Sequence, residues 1–251
     1  MGLVEVFVKT NDPYDRNARL YPALLALFPL VAMLVTLYGI SASALTNSVG
    51  IAFSLVIIFT MMNISREMGK RLELKVFDSW GGKPTTILLR HRDKRIDGVT
   101  KRRYHKFLSS KIDESFPDSQ QETSNSDLAD EIYQSATLWL LNKTRDKKKF
   151  NILFNENITY GFRRNSLGVK PIGLVISICC ILWVLITYGV IQTINPIYNY
   201  VALTTLPVTA TTSIAVSTIM LFGWLFFFTK TSLHTAAFTY AKTLLIACDD
   251  L

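Results

Sequence analysis

The chain has 251 residues, 49% of them hydrophobic, a formal net charge of +8 at pH 7 and three cysteines. Three cysteines exclude a disulfide framework. No Asp, Glu, Lys or Arg occurs from Leu20 to Ser65 or from Pro171 to Thr229, so soluble chemistry is confined to the stretch between Arg66 and Lys170.

The uncharged stretches read as membrane spans. A charge at a helix centre costs about 2.5–3.5 kcal/mol on insertion, and about 20 apolar residues cross the hydrocarbon core. Each stretch is long enough for two crossings. The first divides at SASALTNSVG (41–50), giving spans over about Leu20–Ile40 and Gly50–Ile64. Although SASA resembles a signal-peptide cleavage site, the apolar run exceeds an h-region and a second span follows at once. The second stretch divides at TINPIYN (193–199), where Asn195-Pro196 is a turn signal. Its spans are Pro171–Gln192 and roughly Val201–Phe228.

The charge distribution sets the expected orientation. The Arg66–Lys170 segment holds 22 of the 27 Lys+Arg and 14 of the 19 Asp+Glu, and therefore the whole net charge. Neither turn is charged, so the positive-inside rule puts both termini and this segment in the cytoplasm. The expected plan is all-α and polytopic. It comprises an N-terminal segment and first hairpin (1–64), a basic cytoplasmic helical domain (65–169), a second hairpin (170–229) and a cytoplasmic C-terminal helix (230–251). Cys179, Cys180 and Cys248 read as inert apolar residues.

Within the segment, Arg66–Trp80 continues the second span as a helix that Gly81-Gly82 ends. The run GGKPTT (81–86) fails the phosphate-loop pattern, and Pro84 removes an amide that a cradle needs. Thr85 or Thr86 is the expected cap of the next turn. Val99–Ser109, Asp127–Thr144 and Phe150–Phe162 have helical composition, whereas Ser115–Ser126 reads as a mobile polar loop.

Arg90–Lys106 carries eight basic residues against two Asp, and Lys143–Lys149 five against one. Asp113–Glu131 holds seven acids and no base. Three readings of the basic clusters stand: attraction to an anionic leaflet, pairing with the acidic stretch, or a polyanion site. For the third, the candidates are Arg90, Arg92, Lys94, Arg95, Lys101, Arg102 and Arg103, with Tyr104, His91 and His105 placed to stack on bases.

His91, His105 and His234 lack metal-ligand spacing. There is no G-x-S-x-G or H-E-x-x-H motif. No catalytic residue, metal or cofactor is expected, and spans without carboxylates argue against a proton-coupled transporter. In the fourth span, Thr205, Thr209, Ser213 and Ser217 recur at i+4 with Thr212 beside them. The line reads as local back-bonding or small-residue packing, or as the lining of a water-filled path. A path requires a symmetric homo-oligomer, such as a tetramer, because four spans enclose little. Ser232–Cys248 keeps an apolar face on Leu233, Ala237, Ala241, Leu244 and Leu245 that suits packing on the central domain.

Three stretches carry a resemblance: DPYDRNARLYPALL (12–25), GGKPTTILLRHRD (81–93) and YGFRRNSLGVKPIG (160–173). With the two-hairpin plan, they resemble four-span bacterial membrane effectors of anti-phage defence. The pattern is similar to the membrane effector of the Hailong system, and the Kiwa membrane subunit and the effectors of cyclic-oligonucleotide systems share its plan. The resemblance implies an oligomeric ion channel in contact with membrane lipids. It further implies a companion nucleotidyltransferase whose oligodeoxyadenylate, a nucleotide ligand, holds the channel closed at a basic cytoplasmic mouth. No ligand residue carries over; the basic candidates rest on charge clustering alone.

Overall fold

The computed structural model describes residues 12–39, 48–191 and 203–251. Both expected turns, with Tyr198 and Tyr200, fall at least in part outside these residues. All secondary structure among the described residues is helical. Four helical stretches are long and apolar enough to cross a bilayer: Asp15–Tyr38, Gly50–Leu89, Asn151–Thr187 and Val208–Phe227.

The helices are α1 (Tyr21–Tyr38), α2 (Ser48–Trp80), α3 (Pro84–Leu89), α4 (Gly98–Ile112), α5 (Ser119–Ser124), α6 (Ser126–Lys143), α7 (Asn151–Thr187), α8 (Val208–Phe222) and α9 (Lys230–Ile246). π-Helical turns lead into α1 at Asp15–Leu20 and follow α8 at Gly223–Phe227. The chain divides into two compact units, Met1–Arg71 with Gly161–Ser232, and Leu72–Tyr160 with Leu233–Leu251. The divisions fall inside α2, α7 and α9, so each of these helices contributes residues to both.

In the first unit α1, α7 and α8 share an apolar interior built on Ala26, Met33, Val169, Val184, Ala210 and Trp224. Gly173 leaves the space that the Trp224 indole fills. Residues of α2 and α7 meet where both carry glycine. A Cβ on Gly168 would lie 2.7 Å from Gly69 Cα, so only glycine permits this approach. Beside the crossing, Ser65 Oγ donates to the Asn165 carbonyl at 3.4 Å. The fully buried Asn165 donates through Nδ2 to the Ala18 carbonyl at 2.6 Å. The α-helical partner of that carbonyl would be the amide of residue 22, which is a proline and has no N–H. Lys170 Nζ donates to the carbonyls of Leu225 (3.1 Å) and Phe228 (3.0 Å), where the helical run of the last span ends.

In the second unit the core is Leu88 and Leu89 of α3, Leu108 of α4, Tyr133 and Leu140 of α6, Leu153 of α7, and Leu244 and Leu245 of α9. All five residues foreseen on the apolar face of the tail are buried here. α2 stops as expected: Gly81 (φ 84°) and Gly82 (φ 136°) donate to the carbonyls of Asp78 and Phe77, satisfying the last orphan acceptors.

Three local expectations are corrected. Thr85 and Thr86 do not cap α3; Pro84 occupies its first turn, the N-cap is Lys83, and both threonines are buried. The polar stretch 115–126 contains α5, closed by a reciprocal capping box between Asp118 and Gln121. The fourth span, expected from about Val201, has α8 starting only at Val208, with Pro207 as its N-cap.

Candidate polyanion interface

The segment joining α3 to α4 presents the first basic cluster, and the structure sorts its cations into two groups. Arg90, only 8% exposed, donates through Nε to Asp130 Oδ1 at 2.9 Å, with a second bond to Asp130 Oδ2 and a third to the Gly81 carbonyl at 2.8 Å. Hydrogen bonding to Asp130 raises its pKa against the opposing effect of burial, so the charge is kept. Lys101 is buried and donates to the carbonyls of Arg90 (2.6 Å) and Asp93 (2.7 Å), which pins the segment to α4; burial lowers its pKa. Tyr104 lies in the core with its hydroxyl 3.4 Å from Asp249 Oδ2. Its ring is not offered to a base. These three candidates hold the fold together.

The other group is exposed. Arg103 pairs with Asp249 at 3.0 Å. Arg95 pairs with Asp93 at 3.4 Å and lays its guanidinium 4.0 Å above the Phe238 ring. Arg92, Lys94 and Arg102 are exposed and have no ion pair or hydrogen bond among the described residues. Lys94 and Arg102 line a recess of about 320 Å³ together with Lys101, His91, His105, Gly98, Ile96, Ser119 and the carboxylate-bearing Asp93. The first amides of α4 are already taken, since Asp97 Oδ1 accepts from Val99 N and Thr100 N. The recess therefore offers side-chain cations beside the Asp93 carboxylate, which pairs with Arg95, and not the capped amides of Val99 and Thr100.

The histidines behave as packing groups. His105 donates Nε2–H to the Leu89 carbonyl at 2.8 Å, and its ring meets that of His91 edge-on at 5.0 Å. Burial pushes the pKa of His105 down to about 4, so it is neutral near pH 7. Glu122, which the sequence places in a loop, is buried and accepts from His91 N and Tyr133 Oη, both at 2.8 Å. Pairing of the basic cluster with the acidic stretch thus occurs through Arg90 and Asp130. The Asp118-x-x-Gln121 capping signature is the signal that could have placed Glu122 on a helix.

The hydroxyl line of the last span is also divided. Ser213 and Ser217 are buried, and neither Oγ has a hydrogen-bond partner. Thr209 and Thr212 are exposed. Thr205 lies in a separate 3-10 turn, Leu203–Thr205, ahead of Pro207 and outside α8. An i+4 line advances by about 40° per step on a helix, so residues that begin on one face leave it within two steps.

Among the described residues no group of His, Cys, Asp and Glu is arranged to hold a metal. The described residues thus form helices and no strand, with four helices long and apolar enough to span a membrane and a helical unit bearing surface cations that have no ion pair among the described residues. No family model, no curated protein and no solved structure matches it.

Proposed function

We propose that this chain is a ligand-regulated, ion-conducting membrane effector of the anti-phage type its sequence resembles. On this reading it is a homo-oligomer in a bacterial inner membrane, arranged as two hairpins with its basic unit and both termini in the cytoplasm. It binds an oligonucleotide such as oligodeoxyadenylate through phosphates seated at Lys94 and Arg102. The observation that carries the reading is that these two cations, without an ion pair among the described residues, line one recess, where Asp93 is engaged by Arg95. Thr209 and Thr212, the exposed members of the hydroxyl line that lie within α8, are the path-lining residues it retains.

The test is binding of a short oligodeoxyadenylate to full-length protein in nonionic detergent. Affinity should fall steeply with salt through counterion release. Lys94→Glu with Arg102→Glu should abolish binding, while Arg103→Glu, already engaged by Asp249, should weaken it less. Unchanged affinity in the double variant would refute the site. Burial of Ser213 and Ser217 favours a second reading, a non-conducting anchor that recruits a soluble partner such as a nucleotidyltransferase. Planar-bilayer recording separates the two. Thr209→Leu should suppress current by dewetting if Thr209 lines a path, and a wild-type oligomer silent with and without ligand would leave the anchor.

A further inference from the structure

The second unit contains a cavity of about 500 Å³ that shares no residue with the basic recess. This volume lies in the usual range for small-molecule sites, about 300–1,000 Å³. Its walls are largely apolar, formed by Phe77, Leu138, Leu141, Tyr240, Ala241 and Leu244. The rings of Tyr160 and Tyr240 are stacked, with centroids 5.9 Å apart. Leu138 and Leu141 are 61% and 38% exposed, an arrangement that leaves large apolar side chains in water beside an apolar hollow.

Two charged groups line this cavity, and they differ in what they hold. Glu73 accepts a hydrogen bond from the Tyr160 hydroxyl, so it is engaged by the protein itself. Lys83 donates from Nζ to Gln134 Oε1 at 2.9 Å. That acceptor is neutral, and the structure gives Lys83 no ion pair among the described residues. An ammonium has three N–H donors, so two remain for a guest.

We propose that this cavity binds a single-chain anionic amphiphile, a long-chain carboxylate whose head group meets Lys83 and whose tail lies along Leu138, Leu141 and Leu244. A small polar anion would leave the apolar walls wet, and a neutral hydrocarbon would make no use of the ammonium. The Glu73 carboxylate already accepts from Tyr160, whereas Lys83 faces only a neutral acceptor and keeps two N–H donors, so the head site favours an anion. The long-chain carboxylate satisfies the walls and the head site together. This inference does not depend on the recess or on conduction.

The experiment uses full-length protein in nonionic maltoside micelles with a diazirine-bearing palmitate as probe. Photolabel should appear on the peptide containing Gln134–Leu141, and unlabelled palmitate should compete where hexadecanol does not. Lys83→Gln should cut labelling at that peptide about tenfold, the loss of one charge-assisted contact. Lys83 is exposed, so helical circular dichroism of the variant should match wild type. Should that variant misfold, Leu138→Asp, at an exposed position, decides the matter by placing a like charge beside the tail path. Label confined to the apolar spans, equal competition by hexadecanol, or undiminished labelling of a folded variant would each overturn the site.

Discussion

Removing Asp130 should unlock the second unit, and the size of the effect follows from its bonds. Arg90 is nearly buried and holds three hydrogen bonds, two of them to Asp130. Asp130→Ala leaves the guanidinium inside with only the Gly81 carbonyl. Breaking a buried pair from one side costs about 3–5 kcal/mol. The Asp130 side chain is 23% exposed, so water recovers part of this and about 3 kcal/mol is expected. For a domain of about 100 residues that is a fall in melting temperature of about 12 °C. Asp130→Asn, which keeps an acceptor but not the charge, should lose about half as much. Cys248 reports on this unit alone: it is 6% exposed and burial pushes its thiol up to about 12, so it is unreactive while folded. With Cys179 and Cys180 replaced by serine, the temperature at which Cys248 takes up a maleimide measures the unit's opening. A shift under about 2 °C would mean that water already screens the pair, and the account of Arg90 as a buried clasp would fail.

Protonation of His105 should make stability pH-dependent. Its folded pKa of about 4 lies below the ordinary 6.5, so between these values the unfolded chain binds more protons. Stability is then full above about pH 6.5 and falls by about 3 kcal/mol as pH drops to about 4. Urea midpoints at about pH 7 and about pH 4.5 should differ less in His105→Gln, which keeps a donor for the Leu89 carbonyl; an equal pH response in both proteins would refute the assignment. In the first unit, Gly168→Ala forces a methyl group against the Gly69 backbone and should cost about 1–3 kcal/mol. Gly223→Ala meets nothing within 4 Å and is the control; equal thermal stability of the two variants in detergent would show that the crossing tolerates bulk.

The spans were legible because a bilayer-length run without charge has few other uses. The helices of the basic segment were legible from apolar spacing and from Gly81-Gly82, whose positive φ angles end α2. Side-chain roles were harder. Composition cannot tell Arg90, folded inward on Asp130, from Arg92, which is exposed, because both sit in one run of like charge. α5 was missed because its Ser, Gln and Asp content averages to a loop, while one buried Glu122 with two hydrogen bonds decides the matter. The hydroxyl line breaks at Thr205 because Pro207 starts a new helix, while the burial of Ser213 and Ser217 fits the small-residue packing that was one of its readings.

The bond from Asn165 to the Ala18 carbonyl joins residues 147 apart in sequence. A ribosome adds about 5–20 residues per second, so the first helix, which ends at Tyr38, is complete about 6–25 s before its donor exists. During that interval the Ala18 carbonyl lacks the bond from Asn165. On the membrane reading proposed above, the apolar run of the first helix supplies the drive for insertion without this bond, and Asn165 fastens that helix only after the third span is made.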